Sequence, residues 1–404
     1  MSFLQLRDAS KATFKKGDFY DRVRTRMFEM HPTRASRMQT IRARNLMYFF
    51  GVNYILTTLY VLLTEASWSP LFVAMVALCN LSSCVLSGFG HNFSHVANSK
   101  MGLFLDLNGL SNAEWNLEHL LSHHMHTNSV LDHDRYSMNP FITWGEQVKG
   151  KNLLGTIVTT VTLAVIFFIG ESVVALNGNI IHRFRHKYIL SFPGGFLLPW
   201  IFPVKLAMFF LFQGFWAGLA INLSSMLSVS LYFTILAHCT HMSEPALRAG
   251  GLNYDEFGRA SHETISKGLD WGLTQLATAR DIKNVDIPIL NNFLSHRIVQ
   301  QISSALLLGI DRQSMHHLYP PLDHSIMQDE VRAMALEEIN VERTRLPKMA
   351  LNGASEAEVE RMANLLDECE QSLTPIPFPV LFQNLYDVAH GITVEQLLNT
   401  KKEV

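Results

Sequence analysis

Of the eighteen histidines in this 404-residue chain, the informative ones fall into three tight sets. The first is His91-Asn-Phe-Ser-His95, whose i,i+4 spacing puts both imidazoles on one helix face, to share one metal ion or flank two. The second runs Glu118-His119-Leu-Leu-Ser-His123-His124-Met-His126-Thr127-Asn128. On an α-helix His119 and His123 share a face while His124 is rotated by roughly 100°, so the adjacent pair suits two metals better than one. The third, Gln313-Ser-Met-His316-His317-Leu-Tyr-Pro320, repeats the paired device far downstream, and His238-Cys-Thr-His241 lies between the second and third.

Imidazole is the commonest metal ligand near neutral pH. So many clustered imidazoles, without thiolates and with few carboxylates, disfavour structural zinc, which four ligands satisfy. Iron, copper and zinc all remain open on ligand type alone. Asp132 and Asp134 read equally well as a solvated turn and as carboxylates that orient ligand imidazoles by hydrogen bonding. Isolated histidines (His31, His262, His296, His390) read as ordinary polar residues, and His182 and His186, set among Arg183, Arg185 and Lys187, as a basic interfacial patch. Cys79, Cys84, Cys239 and Cys369 form no paired framework and are expected to be free thiols.

The elements that position these histidines belong to a membrane protein. The chain is 48% hydrophobic and 17% charged, against about 25% charged in soluble domains. A net charge of −2 offers no global basic surface for nucleic acid. Residues 1–45 are polar and basic without a secretory signal, so the first span serves as its own insertion signal. Residues 18–44 interleave Arg22, Arg24, Arg26, Arg34, Arg37, Arg42 and Arg44 with Phe19, Val23, Met27, Phe28 and Met30, predicting an amphipathic helix on the cytoplasmic leaflet.

Apolar runs at 46–63 and 71–89, each near the roughly 20 residues that cross a bilayer, predict a hairpin that delivers the first two histidine sets to the cytosolic membrane surface. For the later histidines to join them, an even number of spans must intervene. Two are expected within 188–236, with 153–176 interfacial or re-entrant; six spans in all is the alternative. The predicted fold is an all-α integral membrane protein of two helical hairpins with a cytosolic helical cap over the histidines. Its divisions are a cytosolic segment 1–45, a catalytic membrane domain 46–342 and a helical cytosolic tail 343–404.

These three sets, in order, resemble the histidine boxes of the membrane fatty-acid desaturases. The likeness extends through Asn108-Gly-Leu-Ser, Trp115 and Asp132-His-Asp134, and covers about residues 20–331. The third set, beginning with Gln313, is similar to the QxxHH box of the front-end and acyl-lipid branch. The resemblance implies two iron ions ligated by His91, His95, His119, His123, His124, His241, His316 and His317. His238, Gln313, Asn128, Asp132 and Asp134 are further candidates for the metals or for the groups that orient their ligands. It also implies dioxygen as co-substrate, a fatty-acyl lipid or acyl thioester as substrate, and surrounding membrane lipid. The haem-binding HPGG segment of fused members is missing, so a separate electron donor of cytochrome or ferredoxin type, with its reductase, is expected.

Glu118-His119 also resembles the second box of alkane and xylene hydroxylases, which leaves hydroxylation open beside desaturation, with acetylenase and decarboxylase chemistry of the same superfamily. A divalent-metal transporter is the alternative from another class. Residues 280–283, with Arg280, are candidates to hold a lipid head group. Lys401-Lys402-Glu403-Val404 resembles a dilysine retrieval signal, which implies the endoplasmic reticulum membrane and cytosolic termini.

Overall fold

A computed structural model describes residues 18–33, 40–96, 99–110, 112–136, 142, 144–145, 153–165, 200–254, 260–262, 270–283, 296–323 and 329–390. The basic patch at 182–187, Pro193-Gly194-Gly195 and the terminal lysines lie outside these residues. The described chain is mostly helical: α1 (Asp18–Met30), α2 (Ile41–Leu63), α3 (Pro70–Ser94), α4 (Leu153–Val165), α5 (Ile201–His241), α6 (Trp271–Ala277), α7 (His296–Leu307), α8 (Gln313–Leu318), α9 (Asp329–Arg343), α10 (Glu356–Ser372) and α11 (Phe378–His390). Two minimal sheets accompany them, Leu252–Tyr254 antiparallel to Ala260–His262 and Ile282–Lys283 parallel to Ile376–Pro377.

Three of these helices, α2, α3 and α5, are long and apolar enough to cross a membrane. Local chemistry sets where the first two begin. Thr40 and Ser69 each cap the following helix by accepting a backbone N–H, from Ala43 and Phe72, and Pro70 occupies the first turn of α3, where its missing N–H costs nothing. The outer face of α2 exposes Tyr48, Phe49, Val52, Ile55, Leu56, Leu59 and Leu63, a continuous apolar stripe whose natural solvent is lipid. α4 also exposes Ile157, Val158 and Val161.

α5 is not one straight rod. Gly214 has φ 75° and ψ 177°, outside helical space, and the chain reverses there. Asn222 Nδ2 donates to Leu206 O at 3.1 Å, two groups that a straight helix would hold some 24 Å apart. A Cβ on Gly218 would lie 2.7 Å from Phe210 Cα, so only glycine lets the two arms touch. The turn abuts the loop between α2 and α3, where Gln213 Nε2 donates to Leu62 O (3.1 Å) and Thr64 O (3.0 Å), satisfying carbonyls left open at the end of α2.

The cap is built around α6, α8, α9 and α10, and α1 belongs to it. Phe19, Val23 and Met27 are buried against Leu273, Leu276, Met315, Leu318, Met334, Leu366 and Cys369. Arg22 pairs with Glu338 and Glu342, and Arg26 with Glu337 and Glu338. The expected membrane-surface helix is thus corrected: its apolar stripe packs on α6, α8, α9 and α10, and two of its arginines pair with glutamates of α9. Amphipathicity reports a buried face without saying what buries it. The four cysteines are free and buried.

Gly218→Ala is expected to destabilise the chain in detergent by about 1–3 kcal/mol, as overpacking does, seen as a lower midpoint in thermal unfolding. Gly51→Ala, where nothing lies within 4 Å of the added carbon, is expected to leave the midpoint unchanged or raise it, because alanine is the better helix former.

Candidate metal centre

α3 ends at the first histidine set, with His91 in its last turn and His95 just beyond. The chain then runs back along α3 as a 3-10 segment, Met101–Asn108, in contact so close that a Cβ on Gly90 would lie 2.8 Å from Leu105 N. Gly102, Leu105, Asp106 and Asn108 of this segment are buried in protein. Asn108 anchors the tip: its Nδ2 donates to Ser83 O (3.1 Å) and Ser87 Oγ (2.9 Å), and its Oδ1 accepts from Ser83 Oγ (2.6 Å) and Lys205 Nζ (3.2 Å). Gly109, at φ 84°, turns the chain back toward the second histidine set.

That set is a π-helix over Asn116–His123, in which the His124 N–H donates to His119 O. His119 and His123 share a face as expected, their rings stacked at 5.0 Å between centroids, and the i,i+5 ladder adds His124, whose Nε2 lies 3.0 Å from Nε2 of His119. Such π-segments recur at functional sites because they re-aim side chains. A second one, Ser230–Ile235, precedes His241 on α5.

Eight histidines converge in two adjacent groups. His91, His95, His119, His124 and His316 form one, and His123, His241 and His317 the other; within each, one nitrogen per ring lies within 4.8 Å of all the rest. In the first, His91 Nε2 is 2.9 Å from His119 Nε2 and 3.5 Å from His95 Nε2. In the second, His317 Nε2 is 3.3 Å from His123 Nε2 and 3.1 Å from His241 Nε2. His124 and His317 stack at 4.3 Å between ring centroids, which makes the two groups neighbours.

The outward nitrogens are held by a surrounding set of acceptors. His119 Nδ1 donates to Asp134 Oδ2 at 2.8 Å, His123 Nδ1 to Asp132 Oδ2 at 2.9 Å, and His241 Nδ1 to Thr278 O at 3.2 Å. Donation at Nδ1 leaves the inward Nε2 as a lone pair. The backbone N–H of Asn128, at φ 61°, also donates to Asp132, while its side chain donates to His241 O and Thr278 O at 3.1 Å each. Asn128 thus ties the segments together and touches no inward nitrogen.

Gln313 Nε2 lies 3.0 Å from His241 Nε2, and its buried Oε1 has no partner among the described residues. His238 joins neither group; its ring lies 5.3 Å from Trp144. Arg280 is corrected from its head-group reading, since it is buried and bonded to Glu368 and to Ala277 O and Ala279 O. Two neighbours escaped the sequence reading: Gln275, beside Nδ1 of His317 at 3.1 Å, and Trp115, whose ring lies 4.4 Å from His119. Trp115 sits within the second-box likeness; nothing local marks Gln275.

Burial holds His95, His119, His124, His316 and His317 well below the usual imidazole range, with neighbouring imidazoles acting the same way. Burial also acts downward on His123, but Asp132 and Asp134 outweigh it and raise that ring. Neutral imidazole is the form that ligates metal. The donor set fits a cation: inward lone pairs on His119, His123 and His241 approach other nitrogens, His316 Nε2 is buried without a hydrogen-bond partner among the described residues, and carboxylates lie behind the rings. A metal ion is the species that relieves converging lone pairs in a buried site.

For a folded group with a depressed pKa, the unfolded chain binds protons that the fold refuses. Stability is therefore fully present above about pH 6.5, the ordinary imidazole value, and is lost as pH falls below it. Five rings act in this sense and His123 in the opposite one. Metal-stripped protein is accordingly expected to unfold at a progressively lower temperature from pH 7.5 to 5.5, followed by circular dichroism. Asp132→Asn is expected to weaken metal retention by about ten- to a hundred-fold, read by competition with a chelator.

No family model matches the chain. Over 336 residues it is 24% identical to the cytochrome b5-related protein of Drosophila melanogaster, an alignment covering 80% of this chain and 67% of that protein. The common ground of fold, site and relative is a helical membrane protein with a histidine-rich metal site, compatible with redox or oxygenase chemistry.

Proposed function

We propose that the chain is a membrane di-iron oxygenase that desaturates a fatty-acyl chain, presented as a lipid or an acyl thioester. The observation that carries this reading is the division of eight buried imidazoles into two adjacent groups of five and three beside apolar helices. The five would hold one iron. The three would hold the other with Gln313, whose unpartnered oxygen supplements the group with fewer imidazoles. The balance is one dioxygen, two electrons from the donor and two protons, with two hydrogens from the chain, giving an alkene and two waters.

When bound and reduced, the irons supply the dioxygen-activating chemistry that an unactivated C–H bond demands. The protein's part is orientation and exclusion of water. Asp132 and Asp134 hold His123 and His119 with their Nε2 atoms inward, and burial favours the neutral form of His95, His119, His124, His316 and His317. Trp115 packs with the cluster of Cys84, Leu105, Leu110, Val229 and Phe233, so one side of His119 is hydrocarbon-like, which suits a methylene substrate. Electrons would come from a separate carrier. A cytochrome b5-type donor with its reductase is in keeping with the name of the relative.

The reversal at Gly214 supports two membrane hairpins with the histidines at their cytosolic end. A metal transporter would distribute ionisable ligands along its spans, whereas these gather at one end of them. Hydroxylation shares the site and its first hydrogen removal; the position of the second C–H decides between the two outcomes.

Detergent-purified protein is expected to contain an iron pair per chain and, given reductase, carrier, dioxygen and a mixed acyl pool, to yield products lighter by one hydrogen pair in mass spectrometry. His316→Ala and His317→Ala are expected to abolish both readouts. Oxygen gained instead of hydrogen lost would make the chain a hydroxylase, and zinc or an absence of metal would overturn the oxygenase reading.

A further inference from the structure

The loop between α2 and α3 and the reversal of α5 at Gly214 meet at the end of the spans away from the histidines. Pro70, at the start of α3, and His91, in its last turn, are about 30 Å apart along the helix. Between the two turns lies a cleft of about 670 Å³, a size that holds a small organic group. Its walls carry four aromatic rings, those of Trp68, Phe212, Phe215 and Trp216, and the carboxylate of Glu65 is the one charged group among the described residues that line it. Gln213 Nε2 is committed to Leu62 O and Thr64 O, so the two turns are fixed to one another and the cleft is formed in advance.

These side chains are not spent on a protein core. Trp216 is 77% exposed and Trp68 52%, and Phe215 and Trp216 meet at 79° with centroids 4.9 Å apart, as two adjoining walls. Trp68 has φ 52°, left-handed backbone that is uncommon for a bulky residue and that gathers at ligand clamps, where the surroundings impose it. Glu65 has no hydrogen-bond or ion-pair partner among the described residues. Aromatic residues at a membrane surface ordinarily form a belt that meets many lipids alike; a belt requires neither a concave wall nor an unpaired carboxylate.

A carboxylate beside several ring faces selects a bulky, weakly hydrated cation. A quaternary ammonium is held by the quadrupoles of the rings, tryptophan best of all, while the carboxylate balances its charge and repels an anionic head group. Two of the rings are indoles, whose N–H groups only donate and suit the phosphate next to such a cation. Leu63, the last residue of the exposed stripe on α2, also lines the cleft, which makes the cleft continuous with a surface whose natural solvent is lipid; a free ion would use none of that surface.

We propose that this cleft binds one phospholipid by its choline head group, in the leaflet opposite the histidines. The trimethylammonium is taken by the aromatic walls and Glu65, and the acyl chains lie along the exposed face of α2. At about 30 Å from the histidines, the bound lipid is not the one that reacts; it braces the turns of the two hairpins. The inference rests on α2, α3 and α5 crossing the membrane and is independent of the metal and of the reaction.

The test is native mass spectrometry of the full chain in a detergent without a choline head, given dioleoyl phosphatidylcholine or dioleoyl phosphatidylglycerol in turn. Wild-type protein is expected to retain one phosphatidylcholine about ten-fold more tightly than phosphatidylglycerol, within the range of a desolvated cation–π contact. Glu65→Gln and Trp216→Leu are each expected to lose that preference without weaker retention of phosphatidylglycerol, whereas a merely structural role lowers both lipids together. Leu211→Ala, at an exposed position of α5 outside the cleft, is expected to keep the preference. Equal retention of both lipids by the wild type, an unchanged preference in both variants, or a parallel loss of both lipids overturns the proposal. So does displacement of the lipid by an equal concentration of choline chloride, which would make the site one for the free ion. If circular dichroism shows that neither variant folds, the wild-type preference decides alone. Release of the chain from membranes by alkaline carbonate would instead overturn the membrane setting on which the inference rests.

Discussion

The structure turns on one electrostatic constraint: neutral imidazoles crowded nitrogen to nitrogen in a buried space. Uncompensated, converging lone pairs and desolvated rings oppose folding. The surrounding architecture reads as the means of imposing them. α3 brings His91 and His95 to the end of an apolar helix, the Asn108 anchor returns the chain to the same place, and a π-helix aims its histidines in two directions. Asp132, Asp134 and Thr278 O each receive an outward N–H, so that several rings present their other nitrogen inward. Removing these acceptors would leave the rings in place but their tautomers unspecified.

The cap answers a second requirement, that the crowded rings be kept from water. It does so with ordinary packing. α1 lays Phe19, Val23 and Met27 into a core shared with α6, α8, α9 and α10, and arginine–glutamate pairs along α1 and α9 fix its register. Ion pairs at the rim of a core contribute little each, and the apolar contacts carry most of the attachment. Because the third histidine set lies on α8, within that same core, cap stability and site geometry are linked. The membrane side is closed differently, through glycine contacts at Gly90 and Gly218 that let backbones approach, and amides such as Gln213 and Asn108 that satisfy backbone groups where water is absent.

Much of this was written in local sequence. Composition and two apolar runs announced a membrane protein, and three histidine sets identified which of eighteen imidazoles to watch. Those signals are local because bilayer thickness and helix periodicity act on contiguous residues. The partner of α1 was not legible, since an apolar stripe looks the same whether lipid or protein covers it. Two spans within 188–236 implied a reversal in that stretch, but its place at Gly214 was not legible, because hydropathy is blind to direction.

What only the tertiary structure decided is how the eight histidines divide. His119 and His123 do share a face, their rings stacked at 5.0 Å, but the π-helix also brings Nε2 of His124 to Nε2 of His119, and His123 groups with His241 and His317. It brought Gln313 to His241, left His238 beside Trp144, took Arg280 into the cap, and set Gln275 against His317. The sequence by itself determined the membrane setting and the abundance of metal-capable side chains, because these depend on residue type and short spacing. Grouping and tautomer depend on contacts between residues as far apart as His91 and His316, and on a hydrogen-bond ladder that shifts by one residue, neither of which a local pattern encodes.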